Sequence, residues 1–73
     1  MSLVIQAMLF ERYGPRLNIE QMAQTIGVTP KTLYNKISKG DMPIPTYLDE
    51  GKRYADIRDV ADYFEKKRAE ALA

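Results

Sequence analysis

From Asn18 to Lys39 the chain reads NIEQMAQTIGVTPKTLYNKISK, which predicts two short helices joined by a tight turn. Asn18 followed three places later by Gln21 is typical of a capping box, in which each side chain satisfies a backbone donor at a helix start. An apolar stripe with helical spacing follows, at Ile19, Met22, Ala23 and Ile26. Gly27 can adopt a left-handed conformation cheaply, so the first of these helices is expected over residues 19–26.

The next residues predict a second helix over residues 30–38. Thr29 can cap its start, and Pro30 suits the first helical position, where a backbone N–H has no helical partner. Leu33 and Ile37 lie one turn apart, so both are expected to face the preceding helix. Two helices joined by a short turn that contains glycine form a helix-turn-helix, whose second helix reads DNA in many proteins. We call residues 30–38 the reading helix.

The surface of the reading helix opposite Leu33 and Ile37 carries the candidate binding residues. At about 100° per residue, the side chains on or beside that surface all donate hydrogen bonds, and no acidic residue occurs from Val28 to Gly40. Asparagine pairs with adenine, lysine reaches guanine or phosphate, and hydroxyl groups bond to either. The predicted DNA-binding residues of this segment are Thr29, Lys31, Thr32, Tyr34, Asn35, Lys36, Ser38 and Lys39. The alternative is an ordinary helical hairpin whose lysines are merely solvated.

Composition excludes several classes of function. The 73 residues are enough for one small domain, and they include no cysteine and no histidine. Disulfides, thiolate metal sites and histidine-based catalytic groups are therefore impossible, and we expect neither enzymatic activity nor a cofactor. The formal net charge of +1 does not indicate DNA binding. However, residues 1–40 hold five cations and two acids, against six cations and eight acids in residues 41–73, so the positive part coincides with the reading helix.

Residues 3–13, LVIQAMLFERY, predict a leading helix that ends before a Gly-Pro pair. Apolar side chains surround nearly its whole circumference, so it must be covered on more than one side. The run lacks the features of a signal peptide and is too short to span a bilayer, which indicates a cytoplasmic protein without a membrane partner. A second copy of the chain could provide the additional cover through Val4, Ile5, Met8 and Leu9. The alternative is that the whole helix belongs to the core.

Residues 44–55 predict a small β-hairpin directly after the reading helix. Two prolines break the helical pattern, and β-favouring residues follow up to a tight turn that contains glycine. Lys52 and Arg53 would lie at or near the tip, where cations can contact phosphates or enter a minor groove. Two alternatives stay open: a solvated surface turn, or an Arg53 that pairs with Asp56 or Asp59.

A last helix is expected over residues 57–70, with Asp56 as its cap. Its apolar stripe again has helical spacing, at Ile57, Val60, Ala61 and Phe64. The sequence therefore predicts a mainly α-helical single domain over residues 1–73, with one small β-hairpin between the reading helix and the last helix.

Several short motifs follow one another in an order shared with known DNA-binding families. They are Ile19-Glu20-Gln21-Met22-Ala23, Ile26-Gly27-Val28-Thr29, Thr32-Leu33-Tyr34, Ile37…Gly40-Asp41-Met42-Pro43 and Arg53-Tyr54…Asp56-Ile57. Over residues 17–68 this succession resembles the small winged-helix excisionases and the MerR-type DNA-binding domain. The N-terminal Met8-Leu9…Tyr13-Gly14, with Ala61-Asp62-Tyr63 late in the chain, is similar to pyocin-activator (PrtN-like) proteins, which are transcription activators.

The resemblance implies a winged helix-turn-helix that binds double-stranded DNA, has no enzymatic activity and comes from a phage or mobile element. The function it implies is that of an excisionase, a recombination directionality factor that bends attachment-site DNA for a phage integrase and acts as several copies. Such a protein would work at the bacterial nucleoid. Two alternatives remain: a pure transcription regulator, and a protein-interaction module that docks through residues 3–10 and binds no DNA.

Overall fold

The computed structural model describes residues 2–73. In chain order these residues form α1 (Leu3–Tyr13), β1 (Arg16–Asn18), α2 (Ile19–Ile26), α3 (Pro30–Lys39), β2 (Tyr47–Asp49), β3 (Lys52–Asp56) and α4 (Ile57–Leu72). The predicted fold class is confirmed, because the chain is mainly helical with a small antiparallel hairpin after the two helices of the helix-turn-helix. The arrangement is compatible with a winged helix, in which β2, β3 and their turn (residues 47–56) form the wing.

Local capping explains where the helices begin. The Asn18 side chain accepts a hydrogen bond from the Gln21 backbone at 2.8 Å, and the Gln21 side chain accepts one from the Asn18 backbone at 3.0 Å. Gly27 ends α2 in the left-handed conformation, with φ of +92°. Thr29 caps α3 by accepting from the Thr32 backbone at 3.3 Å. These predicted starts and ends are confirmed, whereas α3 and α4 extend one and two residues beyond the ends predicted for them.

The hairpin is shorter than predicted, and the sheet contains a strand that the sequence analysis did not identify. Residues 44–46 do not join β2, because the chain bends there and buries Ile44 in the core. β1 pairs antiparallel with β3, so β3 lies between β1 and β2. Leu17 of β1 lies opposite Ala55 of β3, and both are fully buried. The wing is therefore joined to the body of the protein through β1.

The core draws apolar side chains from all four helices, from β1 and β3, and from the loop before β2. Its buried members are Leu9, Leu17, Ile19, Met22, Ala23, Leu33, Ile44, Ala55, Val60 and Ala61. Leu33 is 2% exposed and Ile37 packs against this cluster, as predicted. Burying a leucine side chain contributes about 2 kcal/mol, so Leu33 is the main anchor of α3. Its burial turns the opposite surface of α3 towards solvent.

The leading helix, α1, presents one side to the core and leaves the other uncovered. Leu9 is buried and Ile5 is half-buried against the core, so the prediction that Leu9 takes part in self-association was wrong. A helix that is apolar all round gives no indication of which side packs on α4 and the sheet. Val4 and Met8 are 71% and 65% exposed. Within residues 2–73, neither α1 nor any other helix combines the length and apolarity needed to cross a membrane.

Candidate nucleic-acid interface

The outward surface of α3 is polar and positively charged. Its exposed side chains are Lys31, Asn35, Lys36, Ser38 and Lys39, with Tyr34 on the flank that faces the wing. Among residues 2–73, no side chain forms a hydrogen bond or ion pair with any of these five polar groups. The structure therefore brings the predicted donors together on one surface and leaves them available to a ligand.

The two threonines at the start of α3 have a structural task as well as the predicted one. The hydroxyl groups of Thr29 and Thr32 lie 2.9 Å apart and share a hydrogen bond. The Thr29 hydroxyl also caps the helix through the Thr32 backbone. Both side chains lie at the N-terminal end of the outward surface of α3 rather than at its centre, because Thr29 precedes the first turn.

The wing turns sharply at Glu50 and Gly51, both of which have positive φ values, of 51° and 79°. Two consecutive residues of this kind are typical of the type I′ turn that joins two twisted strands. Lys52 follows immediately and is exposed, as predicted for a cation near the tip. Glu50 is also exposed at the turn, so the tip itself carries a negative charge and the positive charge lies on its flank.

Arg53 is more constrained than Lys52. It is half-buried, and its Nη1 atom donates to the Thr46 hydroxyl at 2.9 Å. The alternative in which Arg53 pairs with Asp56 or Asp59 was wrong. Residues three apart on a strand point to opposite faces, so Arg53 and Asp56 diverge.

Asp56 pairs instead with Arg58, at the junction of β3 and α4. The Arg58 guanidinium donates to both carboxylate oxygens of Asp56 at 2.9 Å, and the Arg58 backbone donates to the same carboxylate at 2.8 Å. The side-chain hydrogen bond from Arg58 holds the pKa of Asp56 below its ordinary value, since it favours the charged form. The predicted cap of α4 is thus confirmed, and an ion pair reinforces it.

A cleft of about 440 Å³ separates the wing from α3 and the start of α2. Its lining residues are Asn18, Ile19, Glu20, Tyr34, Leu48, Gly51, Lys52, Arg53 and Tyr54. Tyr34 and Leu48 are 51% and 64% exposed there, while Lys52 and Arg53 supply positive charge on the wing side. The wing and the Tyr34 side of α3 therefore border one cleft, whose lining does not include the other predicted binding residues of α3.

Arg16 of β1 is a polar residue near the wing that the sequence analysis missed. Its guanidinium carbon lies 3.6 Å from the centre of the Tyr54 ring, and its Nη1 atom lies 2.6 Å from Oδ2 of Asp49. The hydrogen bond to Asp49 raises the pKa of Arg16 above its ordinary value. The sequence offered no direct signal for these contacts, because β1 is too short to show a strand pattern.

The described residues, 2–73, contain no cluster of three or more carboxylates that could hold a metal ion. Compared with known proteins, the chain matches no protein-family model, no curated protein and no solved structure. The interpretation of the site therefore depends on its geometry and charge.

Proposed function

We propose that this protein binds double-stranded DNA by placing α3 in the major groove and the wing on the adjoining backbone. The observation that carries the proposal is the outward surface of α3, where three lysines, Asn35 and Ser38 are exposed and without partners in the described chain. An α-helix with its side chains is about 10–12 Å across, which fits a major groove about 12 Å wide. Leu33 fixes that helix from behind, so its surface is pre-organised for contact.

The residues of α3 divide into base-reading and backbone-binding groups. Asn35 lies opposite Leu33 on the helix, at the centre of the outward surface, where its amide can pair with an adenine edge. Lys31 and Lys39 flank it and can reach guanine or phosphate. Lys36 lies farther round, on the side away from Tyr34, and suits a phosphate contact. On the wing, Lys52 is the cation best placed for the backbone, because Arg53 already donates to Thr46.

The biological role that we favour is that of a phage or mobile-element excisionase, working at the bacterial nucleoid beside an integrase. This part of the proposal rests on the resemblance described above and on the order of helices and wing. Several copies bound side by side can stabilise bent DNA, because the cost of deformation is offset by the contacts that bending permits. A pure transcription regulator, similar to PrtN, would use the same surface without needing to bend an attachment site.

Self-association belongs to the same proposal. Leu3, Val4, Met8 and Phe10 are all exposed on the side of α1 away from the core. A second copy is the occupant that we propose for this surface. In an antiparallel pair of α1 helices, Glu11 of each copy would approach the first turn of the other, which contains no acidic residue of its own. A protein-interaction module without DNA binding is the competing function that this apolar surface favours.

The proposed function is tested by titrating a fluorescent duplex with the protein at several salt concentrations. If α3 and Lys52 neutralise about four phosphates, the logarithm of the binding constant should fall with the logarithm of salt with a slope of about −3.6. Replacing Lys31, Lys36 and Lys39 together by alanine should remove most of that slope. The matched control replaces Lys66, Lys67 and Arg68 of α4, an equal loss of charge outside the proposed interface. Absence of binding, or equal losses for both triple variants, would overturn the proposal.

A further inference from the structure

The contacts of Arg16 reach across the whole three-stranded sheet. The side chain starts from β1, lies over the Tyr54 ring of the central strand β3, and ends at Asp49 of the far strand β2. Tyr47 of β2 lies opposite Tyr54, with 6.2 Å between the two ring centres. One side chain from the body of the protein thus contacts both strands of the wing.

These contacts lie on the face of the sheet away from the core. Leu17 and Ala55 point into the core, and neighbouring residues on a strand alternate between faces. Arg16 and Tyr54 therefore occupy the outer face, where the guanidinium carbon lies 3.6 Å from the centre of the Tyr54 ring. Arg16 does not line the cleft between α3 and the wing. This geometry does not support a direct contact of Arg16 with DNA, because its guanidinium already lies over Tyr54 and bonds to Asp49.

Apart from its pairing with β3, the outer strand of the wing, β2, makes few contacts that hold it in place. All three residues of β2 are exposed, including Leu48. Two-stranded hairpins are marginally stable by themselves and need packing or a further strand for support. β1 supplies that further strand to β3, but β2 remains an edge. The ion pair between Arg16 and Asp49 joins this edge to the body.

We propose that Arg16 is a positioning residue that holds the wing at its angle to α3 and neutralises Asp49, which lies opposite Lys52 in the wing. The inference rests on the proposed function where it concerns DNA, but the hold on the wing is a property of the free protein. With Asp49 paired, Lys52 can face phosphate without a competing carboxylate on the neighbouring strand. Without Arg16, the wing would change its angle and the freed Asp49 would compete with phosphate for Lys52, which lies opposite it.

The chemistry of the guanidinium suits this task. Its planar group stacks on an aromatic ring while its N–H groups bond to a carboxylate, which a lysine cannot do at the same time. The pair between Arg16 and Asp49 is partly exposed, with 37% and 48% of the two side chains accessible. Exposed pairs contribute little to global stability, so the loss of Arg16 should alter the wing without unfolding the protein.

The first test needs no DNA. Amide hydrogen exchange is measured by NMR for the wild type and for Arg16→Gln. Exchange of the wing amides, residues 47–56, should rise about two- to fivefold, the range for losing one exposed ion pair, while α2 and α3 keep their protection. Arg16→Lys should show most of the same rise. Arg12→Gln on α1 is the matched control, because it also removes an arginine that lies over a tyrosine ring, Tyr13, but both residues are outside the wing.

Unchanged exchange in the wing after Arg16→Gln would overturn the proposal whether or not the protein binds DNA. An equal rise throughout the chain would also overturn it, because that result indicates general destabilisation.

The second test is a double-mutant cycle between Arg16 and Lys52, measured as affinity for duplex DNA. In the wild-type background Arg16→Gln should weaken binding about two- to fivefold and lower the salt slope. In a Lys52→Ala background it should have little further effect, since residues that act through one another are not additive. Fully additive losses would make Arg16 an independent phosphate contact and contradict the positioning role. If the wild type binds no DNA, the proposed function fails, and the exchange experiment alone decides the role of Arg16.

Discussion

The two parts of the candidate interface, α3 and the wing, are fixed in different ways. Helix α3 is anchored by an apolar side chain, Leu33, and presents polar groups with no partners among the described residues. In the wing, β3 is anchored in the core through Ala55, whereas the edge strand β2 and Thr46 before it are held by polar contacts with Arg16 and Arg53. A helix can separate its anchor from its binding surface by periodicity alone. The edge strand of the wing instead needs some of its polar groups to keep its own position.

This difference has a consequence for dynamics. Burial of Leu33 and Ile37 ties the motion of α3 to that of the whole core. The far strand of the wing is exposed and can open locally at a cost below that of global unfolding. We therefore expect α3 to be rigid and the wing to adjust when DNA is bound. The following predictions test each side of the comparison.

The largest effect is expected from removing the apolar anchor of α3. Leu33→Ala should lower the free energy of unfolding by about 2–5 kcal/mol, the range for buried leucines. The measurement is urea denaturation followed by circular dichroism. Tyr34→Ala is the control on the neighbouring residue, which is half exposed, and it should cost much less. Similar losses for both variants would contradict the assignment of Leu33 as the anchor.

The next effect concerns the outward surface of α3. Asn35→Ala should cost about 1–3 kcal/mol of binding to a specific site if the amide reads a base edge, without changing stability. Gln24→Ala removes an exposed amide from α2, outside this surface, and serves as control. Binding constants are compared between a duplex selected for tight binding to the protein and a duplex of random sequence. An equal loss on both would reject the base-reading role of Asn35.

A smaller effect is expected on the wing. Lys52→Ala should weaken binding to all sequences alike and reduce the magnitude of the salt slope by about one, as for a single phosphate contact. Lys67→Ala, on α4, should leave the slope as it is, because Lys67 already lies 3.6 Å from Glu70. An unchanged slope for Lys52→Ala, with normal folding, would make the wing a solvated surface turn.

The smallest effect is the pH dependence of stability that arises from Asp56, at the junction of β3 and α4. The pKa of Asp56 is lowered in the folded state by Arg58, so its contribution is present above the unfolded pKa of about 3.9 and is lost as the pH falls through the folded value. Asp56→Asn keeps a capping side chain but removes the charge. At pH 6 the wild type should have a higher melting temperature than Asp56→Asn, and this difference in melting temperature should vanish at low pH. A difference that is constant with pH would contradict this origin.

Local signals predicted most of the helical part of this fold. The capping box at Asn18, the left-handed Gly27 and the stripe through Leu33 each involve residues within a few positions of one another. These short-range patterns also predicted which surface of α3 faces outward. They could not predict which side of α1 faces the core, because apolar residues surround that helix. Leu9 was therefore assigned to the wrong surface.

Contacts between distant residues were not predictable in the same way. β1 has three residues, too few for their alternation to predict a strand, and Arg16 and Asp49 are 33 positions apart in the chain. Isoleucine favours strands, so Ile44 was predicted to belong to the hairpin. In the structure it is buried in the core and lies before β2. The turn of the wing was predictable from Gly51, whereas the contacts that orient the wing were not.

The most direct test of the DNA-binding proposal is an NMR titration of isotopically labelled protein with a short duplex. The account predicts chemical-shift changes concentrated in α3, above all at Asn35 and its neighbouring lysines, with a second group at Lys52 and Arg53. The uncovered side of α1, including Val4 and Met8, should change little when one copy binds. Shifts confined to α1, or no shifts at any duplex concentration, would contradict a DNA-reading function and favour a protein-interaction module.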